Sequence, residues 1–226
     1  MTRQNGAAER PEQATVELPI PAPDPDVFRH TATNDILRLL IDNPYEQFTI
    51  RELGRLTDNA PQSVKRAVDV LETNEIVVVD TEGNRRLVGI NRTRISKPDD
   101  PVLRIPQPEF HLPVRAALDR IQDELENVRG VLVFGSVARG HADRQSDIDF
   151  WVLADGRADQ HRANELAKKL GQERFDGDRY EFQILVETPQ SAQSHGNRLE
   201  EVFADAITLV HSDSFYNLKR EVMADA

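Results

Sequence analysis

Cysteine is absent from the 226 residues, which excludes disulfides and thiolate metal sites. Lysine is scarce: it occurs only at Lys65, Lys97, Lys168, Lys169 and Lys219, and arginine supplies the other basic residues. No apolar run approaches the ~20 residues of a membrane span, and the start, MTRQNGAAERPEQ, lacks the apolar centre of a signal peptide. The expectation is a soluble, cytoplasmic protein with no membrane contact. The formal net charge is −11. An acidic surface poor in lysine suits a salt-rich cytoplasm, where dense salt screens self-repulsion; an ordinary acidic protein from a GC-rich genome would have the same composition. The charge is uneven: −4 over residues 1–47, +2 over residues 48–98 and −9 over residues 99–226.

The chain is organised around Val131 to Leu153, VLVFGSVARGHADRQSDIDFWVL. Its pattern is strand, tight turn, short helix, strand. Side chains alternate along a strand, so Asp147 and Asp149 share one face while Ile148 and Phe150 take the other. Two unpaired carboxylates on one face repel, and one of them takes up a proton unless a cation lies between them. Hard oxygen ligands of this kind suit Mg²⁺, which takes one or two protein carboxylates together with substrate phosphate oxygens. Gly135 and Ser136 supply the complementary part. Glycine lets the backbone approach a ligand closely, and free N–H groups at the start of a helix attract anions.

Gly135-Ser136, ten residues, then Asp147-Ile148-Asp149, with Ala138-Arg139-Gly140 and Ser146 between, resembles the signature of the polymerase β superfamily of nucleotidyltransferases, within it the minimal nucleotidyltransferase group. The resemblance implies that Gly135 and Ser136 hold a nucleoside triphosphate and that Asp147 and Asp149 hold two Mg²⁺ ions. Arg139 and Arg144 lie in the connection, within reach either of phosphate oxygens or of solvent salt bridges.

Residues 1–26 carry Pro11, Pro19, Pro21, Pro23 and Pro25 with little apolar content, and read as a flexible tail. Ile36, Leu39, Leu40 and Ile41 predict a helix over Thr33 to Asp42. Thr49 and Glu52 form a capping box for a short second helix, with Leu53 and Leu56 on its inner face. Pro61 opens a third that turns Val64, Val68 and Leu71 inward. Ile76–Val79, a Glu82-Gly83-Asn84 turn and Leu87–Ile90 predict a hairpin. Three helices and a hairpin over residues 27–97 resemble the winged helix-turn-helix domain. That resemblance places Gln62, Ser63, Lys65 and Arg66 of the third helix, and Arg85 and Arg86 of the wing, against DNA. Dimerisation or protein docking is the other use of such a domain. Residues 98–111 are rich in proline, exclude a regular element and read as a linker.

Residues 112–226 then form the nucleotidyltransferase domain, so the fold class is α+β: a winged helix-turn-helix followed by a small mixed sheet with helices. Helices are expected over Leu112 to Val128 and over His161 to Arg174, and a strand over Arg179 to Val186 with Tyr180, Phe182, Ile184 and Val186 facing the core. A helix carrying Leu199, Val202 and Phe203, a strand at Ile207 to Val210, and a helix from Phe215 to Met223 behind a Ser212-Asp213-Ser214 cap complete the domain. His195 and His211 lack metal-ligand spacing and read as surface residues, and Trp151 reads as packing. The third strand is where the family places a third carboxylate, and the alignment puts Gln183 there. Glutamine binds Mg²⁺ weakly and cannot act as a base. Glu181 lies on the same face one pleat away, at about 6–7 Å.

The resemblance implies transfer of a nucleoside monophosphate from an NTP to an acceptor hydroxyl. Acceptors in the family range from nucleic acid ends to small molecules to a tyrosine on a partner protein, and some members are antitoxins that adenylylate a HEPN-type toxin. The rival expectation is a DNA-binding regulator whose transferase-like domain senses nucleotide or serves as a homodimer platform. Gln183 favours that rival, while the intact Gly-Ser turn and paired aspartates favour the enzyme.

Overall fold

Thr49 and Glu52 exchange hydrogen bonds: the Glu52 N–H donates to Thr49 Oγ1 at 3.2 Å, and the Thr49 N–H donates to Glu52 Oε2 at 2.8 Å. The capping box read from the sequence is therefore closed, and it starts a helix at Ile50. The computed structural model describes residues 14–18, 22–83, 85–155, 159–194 and 196–224. The chain divides into two units, Met1–Asp99 and Asp100–Ala226.

In chain order the first unit holds β1 (Thr15–Val16), α1 (Ala32–Asp42), β2 (Phe48–Thr49), α2 (Ile50–Leu56), α3 (Pro61–Thr73), β3 (Val77–Glu82), β4 (Arg85–Ile90) and β5 (Ile95–Ser96). Apolar residues at helical spacing build its core: Ile36 and Leu40 of α1, Leu53 of α2, and Val64, Val68 and Leu71 of α3 are fully buried. β3 and β4 pair in register from Val77↔Ile90 to Glu82↔Arg85, which is the expected hairpin. Asn84 of its turn lies outside the described residues. β2 adds a third antiparallel strand, Phe48↔Val88 and Thr49↔Leu87.

Much of the tail expected over residues 1–26 lies outside the described residues. The described part is held: Thr15 and Val16 pair with Ser96 and Ile95 of β5, and the side chain of the fully buried Asn74 takes the Asp24 N–H and donates to the Asp24 carbonyl at 3.0 Å. Main-chain groups make these bonds, so a low apolar content does not prevent them.

The second unit starts with two 3₁₀ turns, Pro101–Arg104 and Pro108–Phe110, in the stretch expected to hold no regular element. Each proline sits at the first position of its turn, where no N–H is needed. Val102, Ile105 and Phe110 are buried. There follow α4 (His111–Glu124), β6 (Gly130–Phe134), α5 (Gly135–Arg139), β7 (Ile148–Leu153), α6 (Asp159–Leu170), β8 (Phe182–Glu187), α7 (Pro189–Ser194), α8 (Gly196–Ala204), β9 (Ile207–His211) and α9 (Asp213–Ala224). α4 stops four residues before the expected Val128, because Leu125 turns extended and buries its side chain while Asn127 takes φ +53°. The α7 turn was not foreseen.

The sheet order is β8-β7-β6-β9, with β7 and β8 parallel and the other pairs antiparallel. One face of β7, Ile148, Phe150 and Val152, is fully buried. On the opposite face Trp151 and Leu153 pack with Leu132, Ala192, Leu199, Phe203 and Phe215 from β6 and the C-terminal helices. Trp151 is thus core, as its sequence context suggests, with Phe203 edge-on at 5.3 Å. That cover ends at Trp151. The next residue on the same face, Asp149, is only partly buried.

Candidate active site

β6 runs into α5 with no residue between them, and the reversal is made by Gly135 at φ +73°. A Cβ at this position would lie 2.6 Å from Asp149 Oδ2. Glycine is therefore required for its backbone conformation and for the close approach of the Asp149 carboxylate. The approach follows from the register, in which Phe134 stands opposite Asp149. Ser136 is the second residue of α5, half-exposed beside it.

Asp147 is exposed and Asp149 partly buried, on the sheet face opposite the buried Ile148 and Phe150. Partial burial and then the charge of Asp147 push the Asp149 carboxyl above its ordinary value, while the Arg139 guanidinium works against them. The sequence brings together two carboxylates, a glycine turn and one arginine. Gln183 stands beside Asp149 in the parallel register. Glu181 is placed one pair further along, where its carbonyl accepts a hydrogen bond from the Ile148 N–H at 2.8 Å, and its side chain is exposed. Among the described residues no three His, Asp or Glu side chains form a group that could hold a metal ion. The donor set still fits a hard divalent cation: two mutually repelling carboxylates, with no thiolate anywhere in the chain.

Arg139 and Arg144 separate. Arg139 ends α5, acts on Asp149 and lies 3.9 Å from Asp205. Arg144 is exposed in the loop to β7, and its charge acts on Tyr180. That loop is held by Asp143, whose carboxylate accepts from the Gln145 N–H and the Ser146 hydroxyl, so Ser146 of the signature is a structural residue here. It is also braced by residues that sequence reasoning assigned to a linker. Gln107 Nε2 donates to the Ala142 carbonyl at 2.9 Å, and Gln107 Oε1 accepts from the Ala142 N–H at 3.0 Å. Pro106 packs against Gly140, which caps α5 at φ +71° and where a Cβ would lie 2.8 Å from the proline ring. Proline-rich composition masked these braces.

In the first unit Gln62, Lys65 and Arg66 are exposed on α3 and Ser63 is half-exposed. Arg85 is exposed, whereas Arg86 is tied back to α3 by ion pairs with Asp69 at 2.8 Å and Glu72 at 2.6 Å. Arg85 and Arg86 join Arg51 and Arg55 of α2 along an open groove of about 870 Å³. Glu52, its acidic residue, is engaged in the capping box. Arg51 and Arg55 were missed as candidates. Their signal was the four-residue spacing that puts them on one outer face of α2.

No curated protein matches the chain. Among solved structures, it is similar to a toxin-antitoxin with AMP-PNP, at 21% identity over 53% of this chain and 86% of that one, TM-score 0.40. A mutant of the toxin-antitoxin MntA-HpeT is similar at 20% identity over 49% of this chain and 84% of that one, TM-score 0.41. The family model described as Polymerase beta, Nucleotidyltransferase matches residues 117–214, which contain β6 to β9 with the Gly135 turn and both aspartates, so this part of the chain is a nucleotidyltransferase domain of the polymerase β type.

Proposed function

We propose that the second unit transfers a nucleoside monophosphate, AMP, from an NTP to an acceptor hydroxyl. The observation that carries this reading is the approach of Gly135 to Asp149, which sets the first turn of α5 against the aspartates. In the reading, N–H groups of Gly135 and Ser136 donate to phosphate oxygens, and Asp147 and Asp149 hold two Mg²⁺ ions. Those ions, when bound, supply charge stabilisation at the attacking and leaving oxygens. Arg139 offsets negative charge near Asp149. The acceptor oxygen bonds to the α-phosphorus, the bond to the β-phosphate oxygen breaks and pyrophosphate leaves. Glu181, beside Asp147, takes the proton of the attacking hydroxyl, since Gln183 cannot. The acceptor we propose is a side-chain hydroxyl of a partner protein, a HEPN-type toxin, on the strength of the sequence resemblance.

The test is incubation of the protein with Mg²⁺, ATP labelled at the α-phosphate and the product of the neighbouring gene. Label should pass to the partner and be lost in Asp147→Ala and Asp149→Ala. Absence of labelling of any acceptor by a protein that binds Mg–ATP removes the transfer reading.

A second reading is favoured by the arginine groove and by Gln183. Here the first unit is a winged helix-turn-helix that binds DNA, with Gln62, Ser63, Lys65 and Arg66 at the bases and Arg85 on backbone phosphate, and the second unit senses nucleotide. DNA binding that responds to ATP, without label transfer, selects this reading.

A further inference from the structure

We propose that Lys219 binds the β,γ end of the nucleotide triphosphate, an inference that rests on the transferase reading of the same site. The sequence pattern gave no reason to single out this residue. Lys219 lies on α9, partly buried between α8 and β9. Its ammonium donates to Thr208 Oγ1 at 3.4 Å and stands over the Phe203 ring at 5.9 Å. Arg115, Arg120, Arg129, Arg139, Arg162 and Lys169 of this unit pair with carboxylates, and Arg174 donates to the Gly177 carbonyl. Lys219 meets a hydroxyl and an aromatic face instead, and partial burial pushes its pKa down. A cation held partly out of water with no carboxylate partner among the described residues, in a chain of net charge −11, is a standing demand for an anion.

Its place in the sheet says which anion. Thr208 pairs with Leu132, and Leu132 shares the face of Trp151 and therefore of Asp149. Ile207 pairs with Val133, so β9 begins at the end of the sheet where β6 turns through Gly135 into α5. The Arg139–Asp205 pair puts the end of α5 over that same start of β9. Two strand spacings and one pleat separate Thr208 from Asp149, about 12 Å between backbones. The ammonium stands beside Thr208 Oγ1, and in the proposal a triphosphate spans the distance from there to the aspartates. With its α-phosphate at the aspartates and its first oxygens on the Gly135 turn, the chain of phosphates ends at the ammonium. Thr208 and Phe203 hold that ammonium in place, so little side-chain freedom is lost on binding.

The experiment is calorimetry on the full chain with Mg–ATP, Mg–AMP and inorganic tripolyphosphate, for the wild type, Lys219→Met and Lys219→Arg. Methionine keeps the stem that packs on Phe203. The expected result is loss of ATP and tripolyphosphate affinity by about tenfold or more in Lys219→Met, as for one charge-assisted hydrogen bond. AMP affinity should stay within about twofold, and Lys219→Arg should recover most of the loss. In labelling assays the KM for ATP rises with kcat little changed. Mass-spectrometric mapping of lysine acetylation on the wild type needs no variant: ATP should shield Lys219 and AMP should not. Equal losses for AMP and ATP, or an acetylation rate indifferent to ATP, overturn the inference while leaving the transferase reading intact. Tripolyphosphate binding that depends on Lys219 in a protein that ignores ATP supports the anion site and removes the transferase reading. Failure of the wild type to bind either removes both.

Discussion

Gln183 and Asp149 sit side by side on neighbouring parallel strands, so an amide stands next to the carboxylate that we propose holds the cation. The register also sets Glu181 next to Asp147. Gln183→Asp should therefore tighten Mg²⁺ binding in the presence of nucleotide by about tenfold, the lower end of what changes around a metal site produce. Glu181→Gln should slow label transfer by about 10²-fold with nucleotide affinity unchanged, as expected of a lost general base. A Glu181→Gln enzyme at full speed would place the base elsewhere.

Gly135 admits no side chain. Alanine there must hold φ +73°, which costs about 1–2 kcal/mol for an L-residue, and must also displace the Asp149 carboxylate, only 2.6 Å from the new Cβ. Gly135→Ala is expected to lower the urea midpoint and to abolish transfer at any Mg²⁺ concentration. A folded, active Gly135→Ala variant would mean that α5 can back away from β7, and the phosphate cradle would then be wrongly drawn.

Particular residues explain what was legible in the sequence. The capping box at Thr49, the proline opening α3 and the alternation around Asp149 are local rules, and each is obeyed in the structure. The β7–β8 register sets Gln183 beside Asp149. What stayed hidden depends on contacts distant in sequence. Gln107 reads as part of a proline-rich connector until Ala142 is seen beside it, and β1 reads as tail until β5 supplies its partner. Lys219 is 70 residues beyond Asp149 and shares no motif with it. Only the pairing of β9 with β6 brings the two to one face.

The pH dependence of stability should carry the mark of the aspartate pair. Partial burial and Asp147 raise the Asp149 pKa in the folded chain, so the folded state binds its proton more tightly than the unfolded state does. Above both values the ionised carboxylate therefore costs stability, and the cost disappears as pH falls through the raised value. In metal-free buffer at pH 7, Asp149→Asn should be more stable than the wild type, by a small margin because the group is only partly buried. The difference should shrink on acidification and reverse when Mg²⁺ is added, because the metal stabilises only the ionised pair. Melting curves at pH 4, 5 and 7, with and without Mg²⁺, measure it.

The Gln107 brace predicts a split between stability and chemistry. Gln107→Ala removes both hydrogen bonds to Ala142 and should cost about 1–2 kcal/mol. Because the braced loop joins α5 to β7, transfer should fall more steeply with temperature than in the wild type, and hydrogen exchange should rise in residues 141–146. Gln107→Glu keeps the acceptor oxygen and loses the donor, so it should fall between the two.

If the first unit binds DNA, as the second reading proposes, the two hairpin arginines should behave differently toward it. Arg86 pairs with Asp69 and Glu72, so it ties the hairpin to α3 and offsets two carboxylates that would repel a phosphate backbone in that reading. Arg85 has the open groove with Arg51 and Arg55. Each cation that neutralises a phosphate adds about 0.9 to the slope of log affinity against log salt concentration. Replacing Arg51, Arg55 or Arg85 by alanine should each lower that slope by about one, with sequence preference retained. Arg86→Ala should weaken binding without the same change in slope, because its loss unmasks Asp69 and Glu72 instead of deleting a phosphate contact. Fluorescence anisotropy of a labelled duplex across potassium chloride concentrations distinguishes these outcomes. A slope that ignores Arg51, Arg55 and Arg85 would remove the groove from any role in nucleic-acid binding.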